Sequence, residues 1–94
     1  KESALSTLAF EPPCVVETKA RLFLAQELGI LQIGLTLSGA RQVDWPDASL
    51  GCPVEGQVYP EVVTPGFSLE FETQDQSYEV HSDREGTDLV RCIP

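Results

Sequence analysis

Three cysteines, one histidine and one tryptophan are the residues whose types could carry chemistry in this chain. His81 stands in Tyr78-Glu79-Val80-His81-Ser82-Asp83, flanked by two carboxylates, with the hydroxyls of Ser68, Ser77 and Ser82 nearby. A histidine could activate a serine if one were held beside it, but no nucleophile elbow or comparable motif frames these serines. Strand alternation places His81 on an outer face near Glu79 and Asp83, where ion pairing with those neighbours explains it without catalysis. No catalytic residue is expected, and the chain reads as non-enzymatic. Asp83-Arg84-Glu85-Gly86-Thr87-Asp88 has some of the oxygen-ligand rhythm of a calcium loop. It lacks the full spacing and the closing bidentate glutamate, and an arginine beside a cation is unfavourable, so a hairpin turn accounts for it better. Neither a metal nor a cofactor is expected.

The densest cluster of special residues is Trp45-Pro46-Asp47-Ala48-Ser49-Leu50-Gly51-Cys52-Pro53. An apolar anchor, two prolines, a glycine and a cysteine in one short stretch read as a structural buckle. A disulfide from Cys52 to Cys92 could close it. Such a bond would span a loop of about 40 residues and contribute roughly 4 kcal/mol in the chain-entropy model. The alternative is a pair of buried free thiols, since cysteine also serves as a small hydrophobe. Cys14 is the odd one out: a free thiol, an intermolecular disulfide, or a bond that displaces one of the pair. The preceding Phe10-Glu11-Pro12-Pro13 lacks the small residues of a lipid-attachment site. Trp45, between Val43 and Pro46 in a tight loop, reads as a core plug in preference to a ligand-stacking ring.

The elements that must position these residues follow from composition and periodicity. A chain of 94 residues supports one domain, with a core thin enough to gain from a staple. Fifteen acidic against six basic residues give a net charge of -9, which disfavours phosphate backbones and anionic lipid surfaces. No nucleic-acid partner and no direct membrane insertion are therefore expected. The absence of CxxC and the single histidine argue against zinc and redox-enzyme chemistry and fit an oxidising compartment. With no methionine in it, the chain reads as a processed product or an excised domain, exported after removal of a signal segment.

Lys1 to Pro13 is expected to be an arm or edge element, with Leu8 and Phe10 as anchors, because Glu11-Pro12-Pro13 suits neither a helix interior nor an inner strand. From Glu17 to Leu28 the residues Ala20, Phe23, Leu24 and Leu28 recur at helical spacing, with Thr18 as cap and Gly29 as left-handed terminator. The period then changes to two. Leu31, Ile33, Leu35 and Leu37 predict a strand facing the helix; Ser38-Gly39-Ala40 interrupts it, and Arg41 to Trp45 resumes it on the same or a neighbouring strand. Val58 to Val63 is strand-like, Thr64-Pro65-Gly66-Phe67 suits a type II turn, and Phe67 to Glu72 forms a hairpin with Tyr78 to His81 around Gln74-Asp75-Gln76. A turn at Arg84-Glu85-Gly86 leads into Thr87 to Ile93. The expected fold is α+β, a single domain over 1–94 in which a helix-plus-sheet core over 14–94 follows the arm over 1–13. One N-terminal helix packs on a mostly antiparallel sheet, a meander of about four to five strands.

The pattern W-P-D-x-S-L-G-C-P-x-x-G-x-x-Y at Trp45 to Tyr59, T-P-G-[FY] at Thr64 to Phe67, Y-x-x-H-[ST]-D at Tyr78 to Asp83 and V-R-C at Val90 to Cys92 resembles a small bacterial extracytoplasmic domain of unknown function, met in cyanobacterial and Chloroflexi-type secreted proteins and lipoproteins. The resemblance runs from about residue 17 to residue 93 and takes in the helix ending at Leu28-Gly29-Ile30. It implies paired cysteines at Cys52 and Cys92 and a buckle of Trp45, Pro46, Gly51 and Tyr59. It implies no activity. Cys14 and the prolines before it have no counterpart in the pattern.

Two functions fit these residues. The first is a disulfide-stabilised, extracytoplasmic accessory subunit or protein-interaction module, in the periplasm, a thylakoid lumen or secreted, with a protein partner or a membrane-associated complex. Its contact residues would be Trp45, Tyr59, Pro60 and Val63. The alternative is a protease-inhibitor-like domain presenting a constrained loop around Glu55 to Thr64. An inhibitor must expose that loop in extended form, whereas a module is expected to bury it and offer an apolar patch elsewhere.

Overall fold

The computed structural model describes residues 12–74 and 76–91. One α-helix, α1 (Cys14–Leu28), and a 3-10 turn (Gln32–Gly34) precede four strands: β1 (Thr36–Trp45), β2 (Thr64–Thr73), β3 (Gln76–Asp83) and β4 (Leu89–Arg91). The strands form one antiparallel sheet in the order β1-β2-β3-β4, so the architecture is the expected α+β meander, with four strands. The anchors Leu8 and Phe10 lie outside the described residues.

The helix starts at Cys14, earlier than Glu17, because proline is compatible with a helix entrance. Pro13 is the N-cap, and its carbonyl accepts the N–H groups of Val16 and Glu17, both at 3.0 Å. Thr18, the expected cap, lies inside the helix. Gly29 ends it as expected, in the left-handed conformation at φ 69°, where a side chain would be strained. Val16, Ala20 and Leu24, spaced by four, are buried with Ala25, while Phe23 and Leu28 flank them. This stripe lies across β2, β3 and β4. It packs on Phe67, Leu69 and Phe71 of β2 and Val80 of β3, with Leu35, Leu37, Tyr78 and Leu89 completing the core. Arg21 joins the helix to the start of the sheet: its guanidinium donates to Leu35 O, pairs with Glu17 at 2.7 Å and lies 5.3 Å from the Phe71 ring centre.

Four expectations need correction. Leu31 and Ile33 face solvent at 77% and 90% exposure, at the entrance to the 3-10 turn and within it, not in a strand. The sheet explains this, since Thr36 pairs with Glu72 near the end of β2 and earlier residues have no ladder to join. Ser38-Gly39-Ala40 does not interrupt β1, because the irregularity is absorbed as a bulge between Leu37 and Gly39. Val58 to Val63 is an exposed loop, and Thr64-Pro65-Gly66-Phe67 is not a turn but the beginning of β2, which pairs with β1. The expected hairpin of β2 with β3 does form, from Gly66↔Asp83 to Thr73↔Gln76.

Gly66, Phe67, Ser68 and Leu69 are buried one after another, which a strand covered on one face cannot achieve. Both faces of β2 are covered here, one by α1 and the other by the buckle. Gly66 is required at this point by contact: a Cβ on it would stand 1.9 Å from the Ser82 carbonyl oxygen, a backbone atom that cannot move aside independently. Gly66→Ala is expected to destabilise the domain by roughly 3 kcal/mol or more, because overpacking against backbone must shift strands. Chemical denaturation checks this; an unchanged midpoint would refute the close approach.

Candidate functional site

The buckle folds onto the sheet face opposite the helix, and its anchor is Trp45, the last residue of β1. The indole reaches past β2 to β3. Its Nε1 donates to Ser82 O at 3.0 Å, and its ring stacks on His81 with centroids 4.3 Å apart and planes 24° from parallel. The same Ser82 carbonyl oxygen is the atom that a Cβ on Gly66 would approach to 1.9 Å. Gly51 lies against the indole, where a Cβ would come within 2.8 Å of Trp45 Cζ3. Trp45 is a core plug, as its sequence context implies, and is buried with Ser49 and Leu50.

The buckle owes its shape to local bonds. Asp47 Oδ1 accepts both the N–H of Ser49 at 2.9 Å and its hydroxyl at 2.6 Å. The Ser49 hydroxyl and N–H hold the Asp47 carboxyl below its usual range. Leu50 N–H reaches Asp47 O at 3.4 Å, and Cys52 N–H reaches Ser49 O at 3.1 Å. Leu50 and Gly51 then take left-handed conformations in succession, at φ 57° and 80°. For leucine this costs about 1 to 2 kcal/mol, which burial of its side chain offsets.

His81 is buried beneath this loop, not exposed on an outer face as strand alternation alone suggests. It does lie on the face away from the helix, but the buckle covers that face. Nδ1 is 2.7 Å from Leu50 O, so it carries the proton and donates to the strained residue. The sulfur of Cys52 lies 3.3 Å from the same nitrogen. Nε2 faces Glu79 Oε1 at 3.4 Å, the pairing expected from sequence. Glu79 Oε2 accepts the Ser68 hydroxyl at 2.8 Å. Partial burial pushes the Glu79 carboxyl up; the Ser68 hydroxyl, His81 and Arg41 outweigh it, and the net displacement is downward.

The order of groups decides what this chain of contacts can do. Serine, carboxylate and imidazole follow one another with the carboxylate in the middle, whereas a nucleophile needs the imidazole next to the hydroxyl. The arrangement braces the loop against the sheet. Ser82 points to the helix side, where its Oγ is buried without a hydrogen-bond partner among the described residues, and Ser77 is exposed opposite Glu72. Asp83 Oδ1 accepts the Thr87 N–H at 2.9 Å, and Gly86 is left-handed at φ 75°, so the calcium-like stretch is the β3–β4 turn. The Trp45–His81 stack and the bond from His81 to Leu50 O were not foreseen from sequence.

Of the expected contact residues, Trp45 lies beneath the buckle and the other three lie on the loop beyond it. Tyr59 is half-buried, its hydroxyl accepting the Val54 N–H at 3.1 Å, and Pro60 O accepts the Ala48 N–H at 3.3 Å. Val63 is exposed. Cys14 is a free, exposed thiol at the start of α1; Cys92 lies outside the described residues, so the pairing with Cys52 is not placed.

The family model of a domain of unknown function, DUF8738, matches residues 17–92. The chain belongs to the DUF8738 family. The match takes in α1 from Glu17 and every strand, so the buckle and its bracing lie within the DUF8738 domain. No curated protein and no solved structure matches the chain.

Two measurements check this DUF8738 site. Trp45→Ala is expected to cost about 3 to 5 kcal/mol, as aromatic truncations do in cores, and Trp45→Phe about 1 to 3, because the Ser82 bond is lost while a ring remains. A Trp45→Phe variant as stable as the native chain would show that the indole N–H contributes nothing; losses equal to those of Trp45→Ala would show that the buried ring contributes nothing. The second is a pH series. Glu79 titrates below its ordinary 4.5 when folded, so its contribution is present above that value and is lost as the pH falls through the folded value. Stability should therefore fall more steeply below about pH 4.5 in the native chain than in Glu79→Gln; parallel curves would remove Glu79 from the brace.

Proposed function

We propose that this DUF8738 domain is a non-enzymatic, extracytoplasmic protein-interaction or accessory-subunit module of bacterial origin, stabilised by a disulfide between Cys52 and Cys92. One observation carries the reading. The exposed large aliphatic residues other than Val15 and Leu22 gather in two segments, Ile30, Leu31 and Ile33 beside the helix end, and Val54, Val58, Val62 and Val63 beyond the buckle. Apolar side chains concentrated on turns above a braced base suit capture of a protein surface. Tyr59, Pro60 and Val63 lie on the second segment, and Trp45 supports it from below. No helix among the described residues is long and apolar enough to cross a membrane.

The disulfide has its own support. Cys52 lies beside His81, and His81 pairs with Val90, two residues before Cys92 in the sequence, so the chain leaves β4 close to the sulfur of Cys52. The charge of -9 selects a partner with basic character at its rim, whose association weakens as salt rises.

A second reading, a protease-inhibitor-like domain, takes its support from the exposure of residues 57–63, with Val58 at 93%. The module reading expected this loop to be buried; it is exposed, and the apolar patch at Ile30 to Ile33 is present as well. Crosslinking in the native extracytoplasmic fraction, followed by binding of the captured protein to purified variants, separates the two. The module reading expects binding weakened at least tenfold by Leu31→Asp with Ile33→Asp, retained in chelator, and retained in any folded His81 variant, with Cys52 and Cys92 recovered as one disulfide-linked peptide. Stoichiometric inhibition of a protease, lost in Val62→Asp, would establish the alternative. Turnover abolished by His81→Ala, or recovery of Cys52 and Cys92 as free thiols, would overturn the first reading.

A further inference from the structure

Among the described residues no strand pairs with the outer edge of β1, which is long. The strand order leaves β1 at one side of the sheet, and the helix packs on β2, β3 and β4. Arg41, Gln42 and Asp44 are exposed. Between Thr36 and Trp45 there is no proline and no lysine, so the edge is protected only by the bulge at its start and by the charges of Arg41 and Asp44.

Two independent observations fix which backbone groups face outward. Asp44 lies opposite Pro65, which has no N–H to donate, so this cannot be a hydrogen-bonded pair of the β1–β2 ladder. At the other side of the sheet Asp83 N–H donates to Asp88 O, which turns Asp83 toward β4. Alternation from there turns Ser82 toward β2, Phe67 toward β3, and Gly66 and Ser68 toward β1. Both routes leave the N–H and C=O groups of Ala40, Gln42 and Asp44 directed away from the sheet.

We propose that this edge pairs antiparallel with the β1 edge of a second copy, about a two-fold axis through Gln42, and joins two meanders into one continuous sheet. The bulge-free stretch runs from Gly39 to Trp45, and Gln42 is its midpoint. In that register Ala40 faces Asp44 of the second copy, Arg41 faces Val43, and Gly39 faces Trp45. No like charges oppose each other. The neighbouring registers fail for stated reasons: centring on Arg41 or on Asp44 sets like charges face to face, centring on Val43 pairs Ala40 with Pro46, and centring on Ala40 runs into the bulge. The edge is self-complementary in one register, as a two-fold contact requires. This inference does not rest on the module reading, and it uses a different surface.

Sedimentation equilibrium of the full chain from about 1 μM to about 1 mM tests it, together with amide exchange. The mass is expected to rise from 10.3 kDa toward twice that value, and more readily at high salt because both copies are acidic. The amides of Ala40, Gln42 and Asp44 should slow with concentration, while those of Arg41 and Val43 are already protected. Gln42→Lys, which sets two lysines opposite each other, should weaken the dimer about threefold or more, and Ala40→Lys, which faces Asp44, should tighten it by a similar factor. A chain that stays monomeric to about 1 mM overturns the proposal. So does a dimer whose Ala40, Gln42 and Asp44 amides exchange independently of concentration, or one indifferent to both substitutions.

Discussion

Everything on the loop side of this domain depends on one side chain crossing a strand. Trp45 leaves β1, passes β2 at Gly66 and binds the backbone and a side chain of β3, so one residue ties three strands together. The crossing needs Gly66 below and Gly51 alongside, since a Cβ at either would meet backbone or indole. It also gives the buckle a surface to close on. A helix can cover only one face of a sheet, and a domain of this size has little apolar area to spare. Folding the buckle over the second face turns part of a two-layer structure into three layers, which explains the unbroken burial from Gly66 to Leu69.

Placing an imidazole at the centre of this layer is costly unless its nitrogens are used, because an unpaired buried polar atom forfeits its hydration. His81 meets that demand from both sides, with Leu50 O on one nitrogen and Glu79 on the other. The bond to Leu50 also selects the loop conformation. Leu50 is left-handed, and in that conformation its carbonyl oxygen lies 2.7 Å from Nδ1. Such a network specifies one arrangement of the buckle more than it adds stability, since a shifted loop would leave buried donors unmatched. Glu79, half exposed and supported by Ser68 and Arg41, ends the path at solvent.

The helix end, the β2–β3 hairpin and the buckle were legible in the sequence because each depends on local chemistry. Gly29 takes a conformation that side chains resist, and Phe67, Leu69 and Phe71 alternate against Tyr78 and Val80 across a short turn. Leu31 and Ile33 misled because alternation marks a strand only where another strand is within reach, and β2 ends too soon for them. The same holds for Val58 to Val63, which follow the end of β1. Pro65 and Gly66 look like a turn by residue type, yet they are used for what they lack: Pro65 for a missing N–H beside Asp44, Gly66 for a missing Cβ beside Ser82. The nearness of Glu79 and His81 follows from their spacing in one strand. The stacking of Trp45 on His81 does not, because it depends on strand order, which brings β3 within reach of the end of β1 across β2.

The covering of both sheet faces also limits where this fold can meet other molecules. The helix occupies one face and the buckle one end of the other; beyond it Gly39, Ala40, Arg41, Ser68, Glu70 and Glu79 line a shallow groove of about 310 Å³ of mixed polar and apolar character. Exposed apolar side chains are thereby left to segments that ladder and core do not use. Ile30 to Ile33 and Val54 to Val63 are such segments, the first following the left-handed end of the helix and the second following the buckle. Residues that misled the strand assignment are therefore the ones left exposed. A net charge of -9 on the chain, with Glu55 and Glu61 inside the second segment, keeps such exposed aliphatic residues in water.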